Sequence, residues 1–269
     1  MIDFLRQIST PCAWSARMMG YVRSIARVRS RYLRCELAWA PHLIRTRSVI
    51  EDAMRHCSSR RRVVVLGAGL RHDIPLAELS REFREVVLVD IVHPWHSRWS
   101  VRKFGNVRLV THDVTEVMDA VYQLGLSPEA PLPTSRPQRF CDDLELDLTI
   151  SVNLLSQLPV VPERFLLKNR TQQAAEAFGR HLIEAHLDYL HRLPGHVVLI
   201  TDVSAKKVSI KGDLVDEWGI LYRAELPASD DQWEWCLAPS PEQERGFHFL
   251  RKVVAFQDWK HRAVMSPVD

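Results

Sequence analysis

The stretch that decides the fold is Val63-Val64-Val65-Leu66-Gly67-Ala68-Gly69, together with the residues that follow it as far as Asp90. A short β-branched run that ends in a glycine turn predicts a buried parallel strand. A helix is expected next, with Asp73 as its cap and Pro75 in its first turn. A second strand, formed by residues 86–89, then ends in Asp90.

This arrangement predicts a nucleoside-binding site. Glycines let the backbone approach a ligand, the start of a helix offers free N–H groups, and an acid at a strand tip can accept hydrogen bonds from both ribose hydroxyls. The alternative interpretation is a tight turn beside a solvated acid. Dinucleotide sites carry a third glycine where this chain has His72, so a pyrophosphate fits poorly and an NAD-dependent oxidoreductase is a weaker alternative. No Gly-Lys-Ser/Thr sequence occurs, which excludes a P-loop.

Two further strands extend the pattern. Residues 107–110 run into His112-Asp113-Val114, and residues 146–152 end at Asn153-Leu154. Over roughly residues 60–260 the chain resembles the class I S-adenosylmethionine (SAM)-dependent methyltransferase superfamily, and its Leu-Gly-Ala-Gly-Leu turn is similar to that of the leucine carboxyl methyltransferase group. The resemblance implies an α/β fold: a Rossmann-like, seven-stranded, mostly parallel sheet with helices on both faces, plus an N-terminal helical extension.

The resemblance also implies roles for individual residues, with SAM as the cofactor. The glycine turn would pass under the methionine end of SAM, Asp90 would bind the ribose diol, Asp113 and Val114 would frame the adenine, and Asn153 and Leu154 would close the site beneath the sulfonium. The implied cofactor-binding set is Gly67, Ala68, Gly69, Arg71, Asp90, Ile91, Asp113, Val114, Asn153 and Leu154.

Two positions depart from the superfamily pattern. Val65 stands where members usually carry an acid, two residues before the first glycine. Arg71 stands at the third small position of the motif. The expected role of Arg71 is to hold the SAM carboxylate, much as an arginine does in the carboxyl methyltransferase group, although in a different register.

No paired carboxylates, Ser/His/Asp set or Cys/His set suggests hydrolytic or nucleophilic catalysis. That pattern fits methyl transfer, because the sulfonium is an activated donor and the protein mainly aligns the reactants. A base is optional, and His93 or His72 is the candidate, given a pKa suited to neutral pH. Substrate-facing positions are expected on loops beyond the strand ends, with packed loops or strand faces as the alternative: His72, His93, Trp95, His96, Gln157, Arg164, Trp233, Trp235 and His248.

Composition restricts the class of protein. With 46% apolar and 26% charged residues in 269, the chain is expected to be globular rather than disordered. Five scattered cysteines predict free thiols in a reducing compartment, here the cytoplasm, and no metal site. No apolar stretch approaches the roughly 20 residues that a transmembrane helix needs.

The N-terminal extension, residues 1–58, is basic. Residues 1–62 contain thirteen Arg and no Lys against four acidic residues. The two interpretations are a solvated face and contact with an anionic partner. An apolar stripe at helical spacing (Val22, Ile25, Val28 and Tyr32) predicts an amphipathic helix, for which packing on the body is favoured over lying on an anionic membrane. Pro41 is expected in the first turn of a second helix.

The main domain is predicted at residues 59–269. A proline-rich insertion is expected at 125–145, a helix at 171–192 and a fifth strand at 196–202. Residues 219–222 and 247–256 are expected to form a closing antiparallel pair.

The leading hypothesis is a SAM-dependent methyltransferase that acts on an O or N atom of an unidentified small-molecule or protein acceptor. The alternative is a catalytically degenerate binding or scaffold protein whose basic arm contacts an anionic partner. A nucleic-acid acceptor is disfavoured, because no Asp/Asn-Pro-Pro-aromatic motif occurs.

Overall fold

The computed structural model describes residues 10–262 except 125, 126 and 128. The first nine residues of the predicted extension, those three residues of the predicted insertion, and the last seven residues of the predicted main domain lie outside the described residues. The described helices are α1 (Trp14–Met19), α2 (Tyr21–His56), α3 (Leu76–Glu82), α4 (Trp95–Ser100), α5 (Met118–Leu124), α6 (Val160–Leu166) and α7 (Gln172–Arg192). None of them is long and apolar enough to cross a membrane.

The strands are β1 (Arg62–Leu66), β2 (Glu85–Asp90), β3 (Val107–Thr111), β4 (Leu146–Val152), β5 (His196–Ser209), β6 (Leu214–Gly219), β7 (Asp231–Ala238) and β8 (Phe247–Phe256). They form one sheet in the order β3-β2-β1-β4-β5-β8-β7. The first five strands are parallel, and β8 runs antiparallel to both β5 and β7. The predicted seven-stranded, mostly parallel sheet is confirmed, and β6 is an additional strand that pairs with the second half of β5.

The central strand β1 explains why helices cover both faces of this sheet. Val63 and Val65 point into one core cluster, which includes side chains of α2 and α3. Val64 and Leu66 point into a second cluster, which includes side chains of α7. Successive side chains of a strand alternate between faces, so an unbroken β-branched run needs apolar cover on each side. The position of Val65 is therefore a core position, and the side chain is fully buried.

Helix α2 differs from the prediction. It continues from Tyr21 to His56 with Pro41 inside it, and the backbone leaves helical geometry at Cys35 (φ −115°, ψ 15°) rather than at the proline. The predicted helix start at Pro41 is wrong. A proline removes one backbone hydrogen bond, but packing of an amphipathic face can hold a helix together across it. Here Trp39 and Leu43, on either side of Pro41, are both buried.

The closing antiparallel pair also differs from the prediction. Strand β8 is where it was expected, but its partner is β7 and not residues 219–222. Gly219 ends β6, and Tyr222 and Arg223 have positive φ angles of 52° and 64°, which break an extended strand. Along β7, the half-buried Trp233 and Trp235 alternate with exposed neighbours, the period-2 pattern of a strand with one covered face.

Elsewhere the elements follow the sequence. Thr171 caps α7 by accepting a hydrogen bond from the Ala174 N–H. Residues 129–145 form neither helix nor strand, as expected of the insertion. Asp73, by contrast, does not cap α3: the helix follows Pro75 without a side-chain cap, so that prediction is wrong.

Candidate functional site

A cavity of about 750 Å³ opens at the carboxyl ends of the parallel strands and is covered by α2. Ligands of open α/β sheets bind at this edge, where the loops that follow neighbouring strands meet. All but one of the predicted cofactor residues line the cavity: Gly67, Gly69, Arg71, Asp90, Ile91, Asp113, Val114, Asn153 and Leu154. Ala68 is instead fully buried in the core, and its N–H donates to the Val89 carbonyl.

The glycine turn is packed too tightly for side chains. Gly67 has a φ of +86°, and a Cβ there would lie 2.9 Å from the Val152 carbonyl oxygen. A Cβ on Gly69 would lie 2.7 Å from Cδ1 of Ile25 and 2.9 Å from Oδ2 of Asp90. Glycine therefore lets the turn pass directly beside the tip of β2 and beneath α2.

Asp90 occupies the tip of β2, as expected. Its Oδ1 accepts the Val92 N–H at 3.1 Å. Burial raises the pKa of Asp90 to about 6, even though backbone N–H groups favour the charged form. Tyr21 of α2 lies close to both Asp90 and Asp113. Burial raises the pKa of the Tyr21 hydroxyl, and the charges of Asp113 and Asp90 raise it further. The cavity thus holds a desolvated carboxylate with acceptor capacity left for a hydroxyl-bearing ligand.

Both carboxylate oxygens of Asp113 accept hydrogen bonds from residues that follow it in the chain. Oδ1 accepts hydrogen bonds from the backbone and side chain of Thr115, at 2.9 and 2.7 Å. Oδ2 accepts the N–H groups of Val117 and Met118, at 3.0 and 2.9 Å, at the start of α5. The side chain therefore fixes the loop after β3, in which the neighbouring Val114 lines the cavity.

Arg71 has a left-handed backbone with φ of +60°, unusual for a residue with a Cβ. Its Nη2 donates to Oγ of Ser100 at 2.6 Å. Within the described residues, its buried Nε and Nη1 meet no hydrogen-bond partner, and burial lowers the pKa of the guanidinium. These are two cationic donors in the cavity wall that suit a carboxylate.

Beyond the glycine turn, Asn153 links three elements. Its φ is +48°, and Nδ2 donates to Oδ2 of Asp73 at 2.7 Å. The same amide contacts Nε2 of His42 on α2, at 3.2 Å. Burial raises the pKa of Asp73. Asp73 thus joins the cavity wall instead of capping α3.

His42 is the centre of an aromatic wall. Its Nδ1 accepts the indole N–H of Trp233 at 3.1 Å, and its ring stacks on Trp235 with centroids 4.1 Å apart. Trp39 meets Trp235 edge to face at 4.8 Å and donates its indole N–H to the Leu237 carbonyl. Burial lowers the pKa of His42 to about 3, so its imidazole is neutral at pH 7.

The two histidines predicted as bases have different positions. His72 lines the cavity and stacks on Tyr32 with centroids 3.6 Å apart; burial lowers its pKa to about 4. His93 is fully buried outside the cavity lining, with Nε2 3.0 Å from the Val110 carbonyl oxygen. Burial also lowers the pKa of His93 to about 4. Its ring contacts β3 through Val110 and does not line the cavity, so an acceptor in the cavity does not reach it.

The other substrate-facing predictions divide in the same way. Gln157 and Trp235 line the cavity. His248 lies far along the β7–β8 hairpin, where its Nδ1 accepts the Ser240 N–H. The remaining predicted positions do not line the cavity: Trp95, His96, Arg164 and Trp233.

Sequence reasoning missed the wall that α2 contributes. Its cavity-lining residues include Tyr21, Ile25, Trp39 and His42. The apolar stripe on this helix did predict that it packs on the body, and packing is confirmed by the contacts of Ile25 and Tyr32. The spacing carried no information about the surface that the stripe would cover.

Comparison with known proteins gives structural matches only. No protein-family model matches the sequence, and no curated protein sequence matches it. DhpI, solved in a complex with SAM and HEP, matches 90% of this chain and 99% of its own, at 12% identity and a TM-score of 0.37. The 1,6-didemethyltoxoflavin-N1-methyltransferase of Burkholderia thailandensis, solved with S-adenosylhomocysteine, matches 93% of each chain at 16% identity and 0.36. The N-methyltransferase NodS of Bradyrhizobium japonicum matches 79% of this chain and 94% of its own, at 9% and 0.36.

The strand order of the sheet itself carries the conclusion about fold. Five parallel strands in the order β3-β2-β1-β4-β5 are followed by the antiparallel β8 and β7, with the glycine turn after the central strand β1. The chain therefore has the Rossmann-like α/β fold that the sequence predicts.

Proposed function

We propose that this protein is a SAM-dependent methyltransferase that transfers a methyl group to an O or N atom of a small-molecule or protein acceptor. The observation that carries the proposal is one continuous cavity with two kinds of lining. One end has the glycine turn, Asp90 and Val114, which suit a nucleoside. The other end has Asn153 and Trp235, which suit a second molecule.

The residues of the first end fit SAM. Glycine at position 69 lets the turn pass within reach of the Asp90 carboxylate, because a Cβ there would lie 2.9 Å from Oδ2. Asp90 would hold the ribose diol, Val114 would meet the adenine edge, and the unpaired Nε and Nη1 of Arg71 would hold the carboxylate. Asp113 would act by holding the loop that positions Val114. When bound, SAM supplies a methyl group that is already activated on a sulfonium.

The chain itself would supply alignment and exclusion of water. Helix α2 covers the cavity, and the buried His42 and the half-buried Asn153 fix the wall beside the end of β4. His72 is the remaining candidate base, and its pKa of about 4 keeps it neutral but weakly basic at pH 7. A weak base suits an acceptor atom that already has a free lone pair, because such an atom loses its proton after attack.

Calorimetric titration of the purified protein with SAM, S-adenosylhomocysteine and NAD, each alone, tests the proposal. Micromolar binding of SAM or S-adenosylhomocysteine that is lost in Asp90→Ala is the expected result. Asp216→Ala, which changes an exposed carboxylate on β6, is the matched control. Binding of NAD alone would move the protein to the oxidoreductases, and binding of none of the three would refute the proposal.

One observation favours the alternative, a degenerate scaffold protein. Arg23, Arg27 and Arg34 of α2 are exposed as well as lining the cavity, and an anionic partner could contact them. Deletion of the arm is not a clean test, because α2 shares the core with β1. The double variant Arg23→Glu/Arg27→Glu keeps the helix. Loss of a biological activity in this variant, with SAM bound but no turnover on any acceptor, would favour the scaffold.

A further inference from the structure

We infer that the acceptor carries an anionic group, and that Arg251 together with Arg31 forms the subsite that binds it. The inference rests on the proposed function and names the class of its second substrate: a small molecule with a carboxylate or phosphate beside an apolar part.

Arg251 is the central residue of this subsite. It lies on β8, lines the cavity and has a side chain only 24% exposed. Its Nε is 3.6 Å from Oδ2 of Asp202, while its buried Nη1 meets no hydrogen-bond partner within the described residues. The Ser156 hydroxyl donates to the other oxygen of Asp202. A buried guanidinium that is only partly paired is a strong donor for an oxyanion.

The neighbouring charges leave the subsite positive. Glu242 accepts hydrogen bonds from Nε and Nη2 of Arg34 at 2.8 and 2.6 Å, and the same carboxylate lies 3.6 Å from Nε of Arg31. Glu242 thus pairs with both Arg31 and Arg34, and Asp202 is the carboxylate next to Arg251. Over the whole cavity six arginines face four aspartates. An excess of one sign in a cleft attracts ligands of the opposite sign and repels cationic competitors.

The wall beside these charges is apolar, and Trp235 is the cross-strand neighbour of Arg251. Trp39, Trp235 and Leu237 line the cavity, and the buried indole N–H of Trp235 has no partner within the described part of the chain. An apolar wall lowers the local dielectric and strengthens the attraction between Arg251 and an anion. The same wall would cover an apolar body attached to the anionic group, with the indole N–H as an additional donor.

The subsite is next to the place where methyl transfer is proposed. The Asn153 N–H donates to the Ile200 carbonyl at 2.8 Å, which joins the end of β4 to β5 just before Asp202. His42 contacts both the Asn153 amide and Trp235. An acceptor anchored at Arg251 therefore extends along the wall that begins at Asn153.

The test is an NMR titration of the full-length protein at pH 7.5, with and without S-adenosylhomocysteine. The probes are benzoate, phenyl phosphate, the neutral benzamide and the cationic benzylamine. We expect benzoate or phenyl phosphate to bind about 10- to 100-fold more tightly than benzamide, the range for one hydrogen bond to a charged group. The stronger of the two anions identifies carboxylate or phosphate as the group recognised.

Variants locate the binding. Arg251→Gln is expected to remove the preference for anions, and Arg31→Gln on the separate helix α2 to reduce it. Lys252→Gln removes the same charge from the next residue of β8, which faces away from this cavity, and is expected to change affinity less than twofold. Equal binding of benzoate and benzamide, or an unchanged preference for anions in both arginine variants, overturns this inference but leaves the proposed function standing. Failure to bind S-adenosylhomocysteine overturns the proposed function and the acceptor role with it.

Discussion

Replacement of Asp90 by Asn should remove a pH-dependent loss of stability from the ligand-free protein and should weaken cofactor binding. Burial raises the pKa of Asp90 from 3.8 to about 6. At one pKa unit per 1.36 kcal/mol, ionising this carboxyl in the folded protein costs up to about 3 kcal/mol. Because the folded protein holds this proton more tightly, its stability falls as the pH rises from about 4 to about 6. The Asn variant has no such ionisation.

The assay is urea unfolding of the wild-type protein and of Asp90→Asn at pH 4.5 and pH 7.5. The difference in unfolding free energy should move in favour of the variant by about 2 kcal/mol between the two pH values, since part of the effect is already lost at pH 4.5. An amide keeps the acceptor for the Val92 N–H, and the cost of its NH₂ group is the same at both pH values. Asp216→Asn, on an exposed strand, is the control and should show no such change.

The same variant should bind S-adenosylhomocysteine at least about 10-fold more weakly, because charge-assisted hydrogen bonds to the ribose hydroxyls are lost. A difference in stability that does not depend on pH would refute the claim that Asp90 is a destabilised buried carboxylate. Wild-type affinity for S-adenosylhomocysteine in Asp90→Asn would refute the ribose-binding role.

Three other substitutions test the surroundings of the cavity. Gly69→Ala places a Cβ 2.7 Å from Cδ1 of Ile25, so calorimetry should show the affinity for S-adenosylhomocysteine reduced about 10-fold or more. Unchanged affinity in this variant would mean that the turn can accommodate a side chain. Trp39→Ala should lower the unfolding free energy by about 3 to 5 kcal/mol in urea, and Trp14→Ala, at a 67% exposed position, should not. Burial lowers the pKa of His42 from 6.5 to about 3, so wild-type stability should fall as the pH drops below 6.5, and His42→Gln should flatten that fall in acid-unfolding curves.

Local sequence patterns predicted the parallel half of the sheet well. The runs that form β1 and β2 are apolar on both faces, and β4 is buried along almost its whole length. Each run is bounded by turn residues, so its position depends on little beyond the neighbouring sequence. Asp90 was placed at the tip of β2 by its distance from the glycine turn. The antiparallel half was predicted less well. Strand β7 was recognised only as a pair of tryptophans, and residues 219–222 resembled a strand in sequence although φ is positive at Tyr222 and at the following Arg223.

Side-chain roles at the cavity were harder to predict. Asp73 looked like a helix cap and instead accepts a hydrogen bond from Asn153. His93 looked like a loop histidine near the ligand and is buried away from the cavity. In both cases the residue type and the local spacing were compatible with two positions. The direction of the side chain, which decided between them, depends on contacts distant in sequence.

The sequence by itself determined the class of fold, the glycine turn and the acid opposite it, because these are set by interactions within about 30 residues of one βαβ unit. Only the tertiary structure decided what closes the cavity. Trp233 donates to His42 across 191 positions of the chain, and Arg34 reaches Glu242 across 208. An amphipathic helix shows in its sequence that one face is buried, but the surface that it covers is chosen by packing of the whole chain. That packing placed the arginines of α2 beside Arg251 and made the basic arm a wall of the site.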